Sequence, residues 1–211
     1  MDVRRMLWWP FFGKPSGPLG ELGARLMPSI NGDTYRQVAD ALGLRGDDDV
    51  LDVGCGAAVL LADHAAKARH VAGLDASGIQ LGKARSRLAE RLAAGSAELV
   101  EGDMGSLPWQ DGRFSAVAAV NVLKFAPDPP GALREMARVL RAGGRIVITI
   151  DDFAKQSWGG TQRSGEADAF GQWQWTDADI QHLLQDAGFS DVRGSALPGK
   201  LGLFLVRGTK Q

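Results

Sequence analysis

The sequence predicts an α/β domain in which a mostly parallel sheet carries helices on both faces. Short apolar runs, suited to buried strands, alternate along the chain with longer segments of helical periodicity. The first run, DVLDV, ends at Gly54 and Gly56, and two later runs end in acidic residues. Glycines directly after a buried strand predict a sharp turn, because glycine adopts positive φ without steric cost. We therefore expect a ligand site where the strands end.

The helices are predicted from apolar residues spaced for one face, as in Val38, Ala41 and Leu42 of the first. Together they are expected at 33–44, 57–68, 77–93, 129–140 and 177–187. The strands are short apolar runs expected at 50–53, 71–74, 97–101, 114–120 and 145–150. Two more strands, near 191–197 and 201–207, are separated by Pro198-Gly199, a turn signal that predicts a terminal hairpin.

Two aromatic-rich stretches lie outside this alternation. Residues 1 to about 30 are rich in Gly, Pro and aromatic residues, which suits an irregular arm. Its aromatics either pack on the main domain, cover an apolar substrate pocket, or form a protein contact. The second stretch, 151–175, contains Trp158, Phe170, Trp173 and Trp175, and is either a cover for the site or a loop anchored on the core. We therefore divide the chain into an arm and helix, 1–45, and a main domain, 46–211, with an insertion at about 151–175.

Composition narrows the class of protein. The chain has 211 residues, 45% of them hydrophobic, which fits one α/β domain. Its net charge of −1 does not favour a nucleic-acid partner. A single cysteine, Cys55, forms no internal disulfide and has no metal-ligand partners near it, so we expect no metal and a cytoplasmic location. The apolar segment near Trp8 is too short and too broken by Pro10 for a signal peptide or a membrane span.

The polar residues at the strand ends predict one nucleoside site. Asp75 ends the second strand, Asp103 follows the third, and Asn121 follows the fourth. An acid at the end of the second strand is placed to accept hydrogen bonds from ribose hydroxyls. The glycine turn is too short for the full G-x-G-x-x-G pattern, because position 59 is valine. This departure favours a ligand that contains adenosine but no pyrophosphate.

Several segments, matching in order and spacing, resemble the class I S-adenosylmethionine-dependent methyltransferases. They are VLDVGCGAA, GLDASGIQLGKAR, VEGDMGSLPWQDGRFSAV, NVLKFAPDPPGALREMARVLRAGGRIVI and WTDADIQHLLQDAGFSDV. They are most similar to the small-molecule branch that includes the ubiquinone/menaquinone-biosynthesis type. The resemblance implies a Rossmann-like, doubly wound, seven-stranded, mostly parallel sheet with a terminal antiparallel hairpin. It also implies S-adenosylmethionine as cofactor, S-adenosylhomocysteine as product and a small-molecule acceptor.

The resemblance assigns cofactor contacts to ten residues along the strand ends. Gly54, Cys55 and Gly56 would present backbone to the methionine moiety, and Asp75, with Ala76 beside it, would bind the ribose hydroxyls. Gln80 would border the adenine, Asp103 and Met104 would bind its amino group and ring, and Asn121 would lie under the sulfonium. Tyr35, on the first helix, either touches the methionine end or packs in the core. Ala58 stands where this family often has a third glycine, and we expect its methyl group to fit.

The sequence gives no strong candidate for a general base. Methyl transfer mainly needs alignment of nucleophile, methyl and sulfur, and a base only when the acceptor loses a proton. Lys124, Asp151 and Asp152 are candidates by position, but catalysis by proximity is the expectation. The acceptor is expected to be apolar or aromatic and methylated on O, N or C, by a monomer or homodimer. The alternatives are a protein that binds the cofactor without transferring its methyl and, less favoured, a nicotinamide-dependent oxidoreductase.

Overall fold

Seven strands form one sheet in a computed structural model that describes residues 32–151, 173, 175–197 and 203–211. The strands are β1 Asp49–Val53, β2 His70–Asp75, β3 Ala97–Glu101, β4 Phe114–Val120, β5 Leu140–Asp151, β6 Phe189–Ala196 and β7 Leu203–Lys210. Their order is β3-β2-β1-β4-β5-β7-β6, with β7 antiparallel to both neighbours and the other pairings parallel. The predicted terminal hairpin is confirmed, while its Pro198-Gly199 turn lies outside the described residues.

The helices confirm most of the sequence prediction. They are α1 at 32–42, α2 Gly78–Arg87, α3 Ala89–Ala93, α4 Pro129–Val139 and α5 Asp177–Asp186. Asp128 caps α4 by accepting from the Gly131 N–H, and Thr176 forms a capping box with Asp179 at the start of α5. Within the described residues, no helix is long and apolar enough to cross a membrane.

Two predicted helices were wrong in extent. The segment 57–68 contains only a five-residue π-helix, Leu60–His64, and not the regular helix expected after the glycine turn. It begins late because Ala58 has a φ of 57°, which no α-helical residue adopts. The segment 77–93 is two helices, because the backbone leaves helical geometry at Leu88.

The sheet has one apolar core on each face, which confirms the doubly wound architecture. On one face, α4 and α5 pack through Leu133, Met136, Ile180 and neighbouring residues against Ile146 and its face of the sheet. The opposite face carries α1, the π-helix and α2. The connections that follow β1 and β2 therefore cross one face of the sheet, and those that follow β4 and β5 cross the other. The change of face falls between β1 and β4. Such a switch point leaves a crevice at the carboxyl ends of the strands.

A network of charged side chains lies at the opposite end of the central strands from the crevice, around the start of β1. The Asp48 carboxylate is 1% exposed and accepts from Ser115 Oγ at 2.6 Å and from Arg145 Nη2 at 2.6 Å. The Asp49 carboxylate accepts from Arg69 and Arg113. Burial raises the pKa of Asp48, but these hydrogen bonds and the Arg145 charge outweigh it and hold that pKa below its ordinary value. This end of the strands is therefore structural.

Candidate functional site

The glycine turn after β1 uses an unusual backbone. Gly54, Gly56 and Ala58 all have positive φ, at 73°, 53° and 57°. The N–H groups of Gly54 and Cys55 both donate to the Leu74 carbonyl of β2, at 2.7 and 3.0 Å, so the turn folds over the neighbouring strand. Ala58 is fully buried, so its methyl group fits, but in a conformation that costs a non-glycine residue about 1–2 kcal/mol.

The two glycines at 54 and 56 are needed for different reasons. A Cβ on Gly54 would overlap the side chain of Val122, lying 2.8 Å from its Cβ, so the tips of β1 and β4 meet there. A Cβ on Gly56 would meet nothing closer than Gln80, at 4.0 Å. The turn is therefore closed beside Gly54 and has space beside Gly56, where a ligand can approach the backbone.

Asp75 connects the glycine turn to the start of α2. Its Oδ2 accepts from the Gly56 N–H and its Oδ1 from the Ser77 N–H, both at 2.8 Å. Ser77, rather than Asp75, is the N-cap of α2. A carboxylate has about four acceptor positions and accepts from hydroxyl groups as readily as from backbone N–H groups. Ala76, next along the chain, is exposed.

Two buried groups lie beneath the turn. Asp52 is 1% exposed, and its Oδ1 is a buried acceptor without a hydrogen-bond partner among the described residues. Burial, and then the nearby Asp75 charge, raise the pKa of Asp52 well above its ordinary value. Burial followed by Asp52 and Asp75 also raises the pKa of the Cys55 thiol. Cys55 therefore stays a protonated side chain packed on β2 and offers the crevice only its backbone.

The wall nearest α2 is formed by Gln80 and the segment after β3. Gln80 is buried, and its Oε1 has no partner among the residues that the structure describes. An orphaned amide oxygen beside the open Gly56 fits a ligand that supplies a donor. Asp103 is exposed, and its Oδ1 accepts from the Gly105 N–H at 2.7 Å in a turn. Met104, next to it, is half-buried against the core.

Asn121 is held in place by Thr149 of the adjacent strand. Its φ is 56°, and its N–H donates to the Thr149 carbonyl and to Thr149 Oγ1, at 3.0 and 3.1 Å. The same Oγ1 donates to Asn121 Oδ1 at 3.2 Å, and Thr149 itself is fully buried. A non-glycine residue in this conformation persists only where its surroundings fix it. Thr149 therefore orients a strained residue at the tip of β4.

Lys124 lies farther along the same loop, in a single 3₁₀ turn at Leu123–Phe125. Its Nζ is 5.5 Å from the centroid of the Phe125 ring, and its carbonyl accepts from the Trp173 N–H at 3.1 Å. Asp151 is the last residue of β5 and pairs with Leu203 of β7. Tyr35 of α1 is half-buried against the core on the other face. Asp152 lies outside the described residues.

The sequence did not identify Ser77 and Thr149 as residues that shape this crevice, and it placed Val122 in the strand-end segment 121–124 without its contact to Gly54. Ser77 carried the ordinary signal of a helix cap, a serine before a helical pattern. Thr149 also had a signal, because it is the one polar residue within the apolar run IVITI. Val122 had none, since its contact with Gly54 joins positions 68 residues apart in the chain (122 − 54).

The arrangement fits the nucleoside cofactor that the resemblance implies. It combines an open glycine, a carboxylate beside it, and a buried amide oxygen without a partner among the described residues. All three lie at the carboxyl ends of β1 and β2 or on the helix that follows. No pyrophosphate-binding helix starts at the turn, in agreement with the shortened glycine pattern.

Comparison with known proteins agrees with the geometry. Residues 51–148 match the family model described as a methyltransferase domain. The chain is 30% identical over 170 residues to a demethylmenaquinone methyltransferase from Listeria welshimeri, covering 69% of this chain and 71% of that protein. It is 34% identical over 157 residues to methyltransferase GfsG from Streptomyces halstedii, covering 70% and 52%. The solved structure of the (4+2)-cyclase SpnF shares the fold, with a TM-score of 0.70 at 20% identity over 99% of this chain and 93% of that one.

Coverage of the relatives is uneven. The chain spans 35–52% of the length of the first four curated relatives that it matches. The Listeria relative, by contrast, is matched over more than two thirds of its own length. That match, the methyltransferase-domain model and the sheet order agree with one another. The chain therefore belongs to the class I S-adenosylmethionine-dependent methyltransferases.

Proposed function

We propose that this protein transfers a methyl group from S-adenosylmethionine to O, N or C of a small apolar or aromatic acceptor. The observation that carries the proposal is the Asp75 carboxylate, held by the Gly56 and Ser77 N–H groups beside an open stretch of glycine backbone. The Listeria relative, by its name, methylates demethylmenaquinone, which supports an aromatic acceptor here. When bound, the cofactor supplies an electrophilic methyl group on a sulfonium.

The cofactor is proposed to lie across the tips of β1, β2 and β4. Gly54, Cys55 and Gly56 present backbone to its methionine end, while Asp75, with Ala76 beside it, binds the ribose. Asp103 and Met104 lie on one side of the adenine, and Gln80 lies on another. Asn121 lies below the sulfonium, and Tyr35 lies near the methionine end. The support is the common edge at which β1, β2 and β4 end. Asp103 Oδ1 already accepts a turn hydrogen bond, so its second oxygen is the one proposed to receive a ligand donor.

Binding of S-adenosylhomocysteine tests this site. Titration calorimetry on Asp75→Asn should show an affinity at least about tenfold lower, because a charge-assisted hydrogen bond contributes roughly 1.5–3 kcal/mol. Glu90→Gln, which alters an exposed acid on α3, is the matched control and should bind normally. Since Asp75 also accepts from two backbone donors, a urea unfolding curve must show that the variant is folded. Equal affinity of folded Asp75→Asn and wild type would overturn the site.

Catalysis is proposed to rest on proximity rather than on a general base. The acceptor needs alignment with the sulfonium and exclusion of water, and Lys124 and Asp151 are the candidates if a proton must be removed. A loss of about 10²-fold or more in kcat for Lys124→Ala or Asp151→Asn, with normal S-adenosylhomocysteine affinity, would show that a base operates.

The two aromatic-rich stretches are proposed to cover the acceptor. In this division, 1–45 is an arm and helix over the site, and 46–211 is the cofactor-binding domain with a covering insertion at 151–175. The support is the end of that insertion, where Trp173 Nε1 donates to the Ala126 carbonyl at 2.9 Å and the indole stacks on Trp175. Trp173 therefore fixes the end of the insertion to the loop that carries Lys124.

Acceptor screening tests the reaction itself. A reduced naphthoquinone, a catechol and an arylethylamine offer carbon, oxygen and nitrogen, and each is incubated with S-adenosylmethionine carrying a labelled methyl group. Label in one acceptor, with stoichiometric S-adenosylhomocysteine, supports the proposal and identifies the atom. Tight cofactor binding without release of S-adenosylhomocysteine across a broad panel would favour a protein that binds the cofactor without transferring its methyl. Sedimentation of the full chain decides between monomer and homodimer.

A further inference from the structure

A groove on the outer part of the sheet, separate from the cofactor crevice, is lined by two arginines, Arg193 and Arg207. It has two adjoining cavities, of about 460 and about 270 Å³, which share Ala41, Arg193 and Arg207. One side is α1, through Gln37 and Ala41, and the other is the face of the β6–β7 hairpin. We call this the arginine groove.

Arg193 and Arg207 are directly opposite each other on neighbouring strands. The β6–β7 register pairs them, so both side chains leave the same face of the sheet. Both are exposed, and the side chain of neither takes part in an ion pair or a hydrogen bond with any described residue. Like charges directly opposite destabilise a sheet. An anion between the two guanidinium groups would remove that repulsion.

Protection of the sheet edge does not explain the pair. Charged side chains on an edge strand discourage pairing with other chains, and Arg193 on β6 fits that role. Arg207, however, lies on β7, which is hydrogen-bonded on both sides by β5 and β6. A charge at this interior position is not needed for edge protection, so the pair calls for another explanation.

A third arginine extends the row. Arg145 of β5 lines the smaller cavity and pairs with Asp48 through Nη2, while its buried Nε has no acceptor among the described residues. Two carboxylates, Asp40 and Asp191, also line the groove, but neither forms an ion pair with Arg193 or Arg207. The guanidinium groups of Arg193 and Arg207 are thus the donors in the groove without a partner among the described residues.

We propose that the arginine groove binds a compact, multiply charged anion of the phosphate class, held between Arg193 and Arg207. Guanidinium groups match phosphate oxygens with paired hydrogen bonds, and Gln37 and Ser195 line the larger cavity as further polar groups. A volume of about 460 Å³ lies in the range of small-ligand sites, and its concavity suits a small anion better than a macromolecular surface. This site is independent of the methyl-transfer proposal.

Calorimetric titration of the full chain with inorganic pyrophosphate, in buffer of low chloride concentration, tests the proposal. Wild type should show saturable one-to-one binding, and Arg193→Gln and Arg207→Gln should each lose at least about tenfold in affinity. Arg141→Gln is the matched control, since Arg141 is an exposed β5 arginine outside the groove. Asp40→Asn should bind more tightly, because it removes a like charge from the cavity that the anion enters.

Two further arms separate the alternatives. Citrate should bind at least several-fold more weakly than pyrophosphate; equal binding would mean recognition by charge alone and would overturn the phosphate assignment. A polyglutamate peptide that binds where pyrophosphate does not would assign the groove to an acidic macromolecule instead. Pyrophosphate affinities of the Arg193, Arg207 and Arg141 variants within twofold of one another would overturn the site. Because Arg193→Gln relieves repulsion, it should unfold at no lower urea concentration than wild type and should bind S-adenosylhomocysteine normally.

Discussion

The contact between Gly54 and Val122 allows a double-mutant test of how the crevice floor is built. Gly54→Ala introduces a Cβ in a backbone with φ at 73°, which costs about 1–2 kcal/mol for any non-glycine residue. The new atom also overlaps Val122, and overpacking of this kind adds about 1–3 kcal/mol. We therefore expect Gly54→Ala to lower the free energy of unfolding by roughly 2–5 kcal/mol.

Two other variants separate the cost of backbone strain from the cost of the overlap with Val122. Gly43→Ala introduces the same positive-φ strain, at 56°, where no atom lies within 4 Å, so it should lose only the strain term. Val122→Ala removes both γ-carbons, leaving only its Cβ near the new methyl group. The double variant, Gly54→Ala with Val122→Ala, should therefore recover part of the overpacking cost of about 1–3 kcal/mol relative to the sum of the single losses, because the Val122 Cβ still lies 2.8 Å from the new atom.

Urea unfolding followed by circular dichroism measures the four variants and the wild type. Losses that add to within about 0.5 kcal/mol would refute the overlap, because independent sites add within that margin. A Gly43→Ala loss as large as that of Gly54→Ala would refute it as well, by showing that backbone strain alone accounts for the effect.

Three further predictions concern polar groups. Asp52→Asn should be more stable than wild type without cofactor at pH 8 and equal to it below about pH 4, since a raised pKa gives stability at low pH that is lost as pH rises; a constant difference in urea midpoint across this range would contradict the account. Asp49→Asn should lose about 1 kcal/mol at pH 7, and the difference should shrink as pH falls below about 4, because the two arginine partners outweigh burial and lower the pKa of Asp49; acid titration of both proteins checks it. Thr149→Val should weaken S-adenosylhomocysteine binding about three- to tenfold by releasing Asn121, and Thr149→Ser should restore it, whereas equal affinity of Val and Ser variants would mean that the hydroxyl does not matter.

The first four strands could be predicted from sequence because they are short apolar runs with clear ends, whereas β5 begins at Leu140 rather than at 145, and β6 and β7 are displaced from the predicted 191–197 and 201–207. The predicted 97–101 and 114–120 agree with the observed bounds, and β2 differs by one residue at each end. The antiparallel β7 came from the family resemblance, and the order of the strands was not predicted, since pairing depends on contacts distant in sequence.

The helix after the glycine turn failed for a local reason. Alanine and leucine between 57 and 68 favour a helix. Ala58, however, has a left-handed backbone, so the residues expected to form the first helical turn are not helical. β2 already begins at His70, which leaves little room for a longer helix. Only one π-helical turn remains. The backbone geometry of the connection between β1 and β2 therefore outweighed the helix propensity of its residues.

The candidate site was predictable where a residue type and a strand end coincide, as at Asp75. It was not predictable where a residue acts through a neighbour in space. Val122 and Thr149 touch Gly54 and Asn121 only because β4 lies between β1 and β5. The charged network at the other end of the strands is of the same kind, since Asp48 and Arg145 are 97 residues apart.

The two hydrogen bonds of Trp173 bear on any effort to change the acceptor range of the proposed activity. Its backbone N–H and its indole N–H donate to the carbonyls of Lys124 and Ala126, so residue 173 and the loop after β4 are joined at one place. Libraries that diversify residues 152–172 should keep this tryptophan constant. Where it is varied, changes in turnover will mix altered acceptor fit with displacement of the β4 loop, and only a parallel cofactor affinity will separate the two.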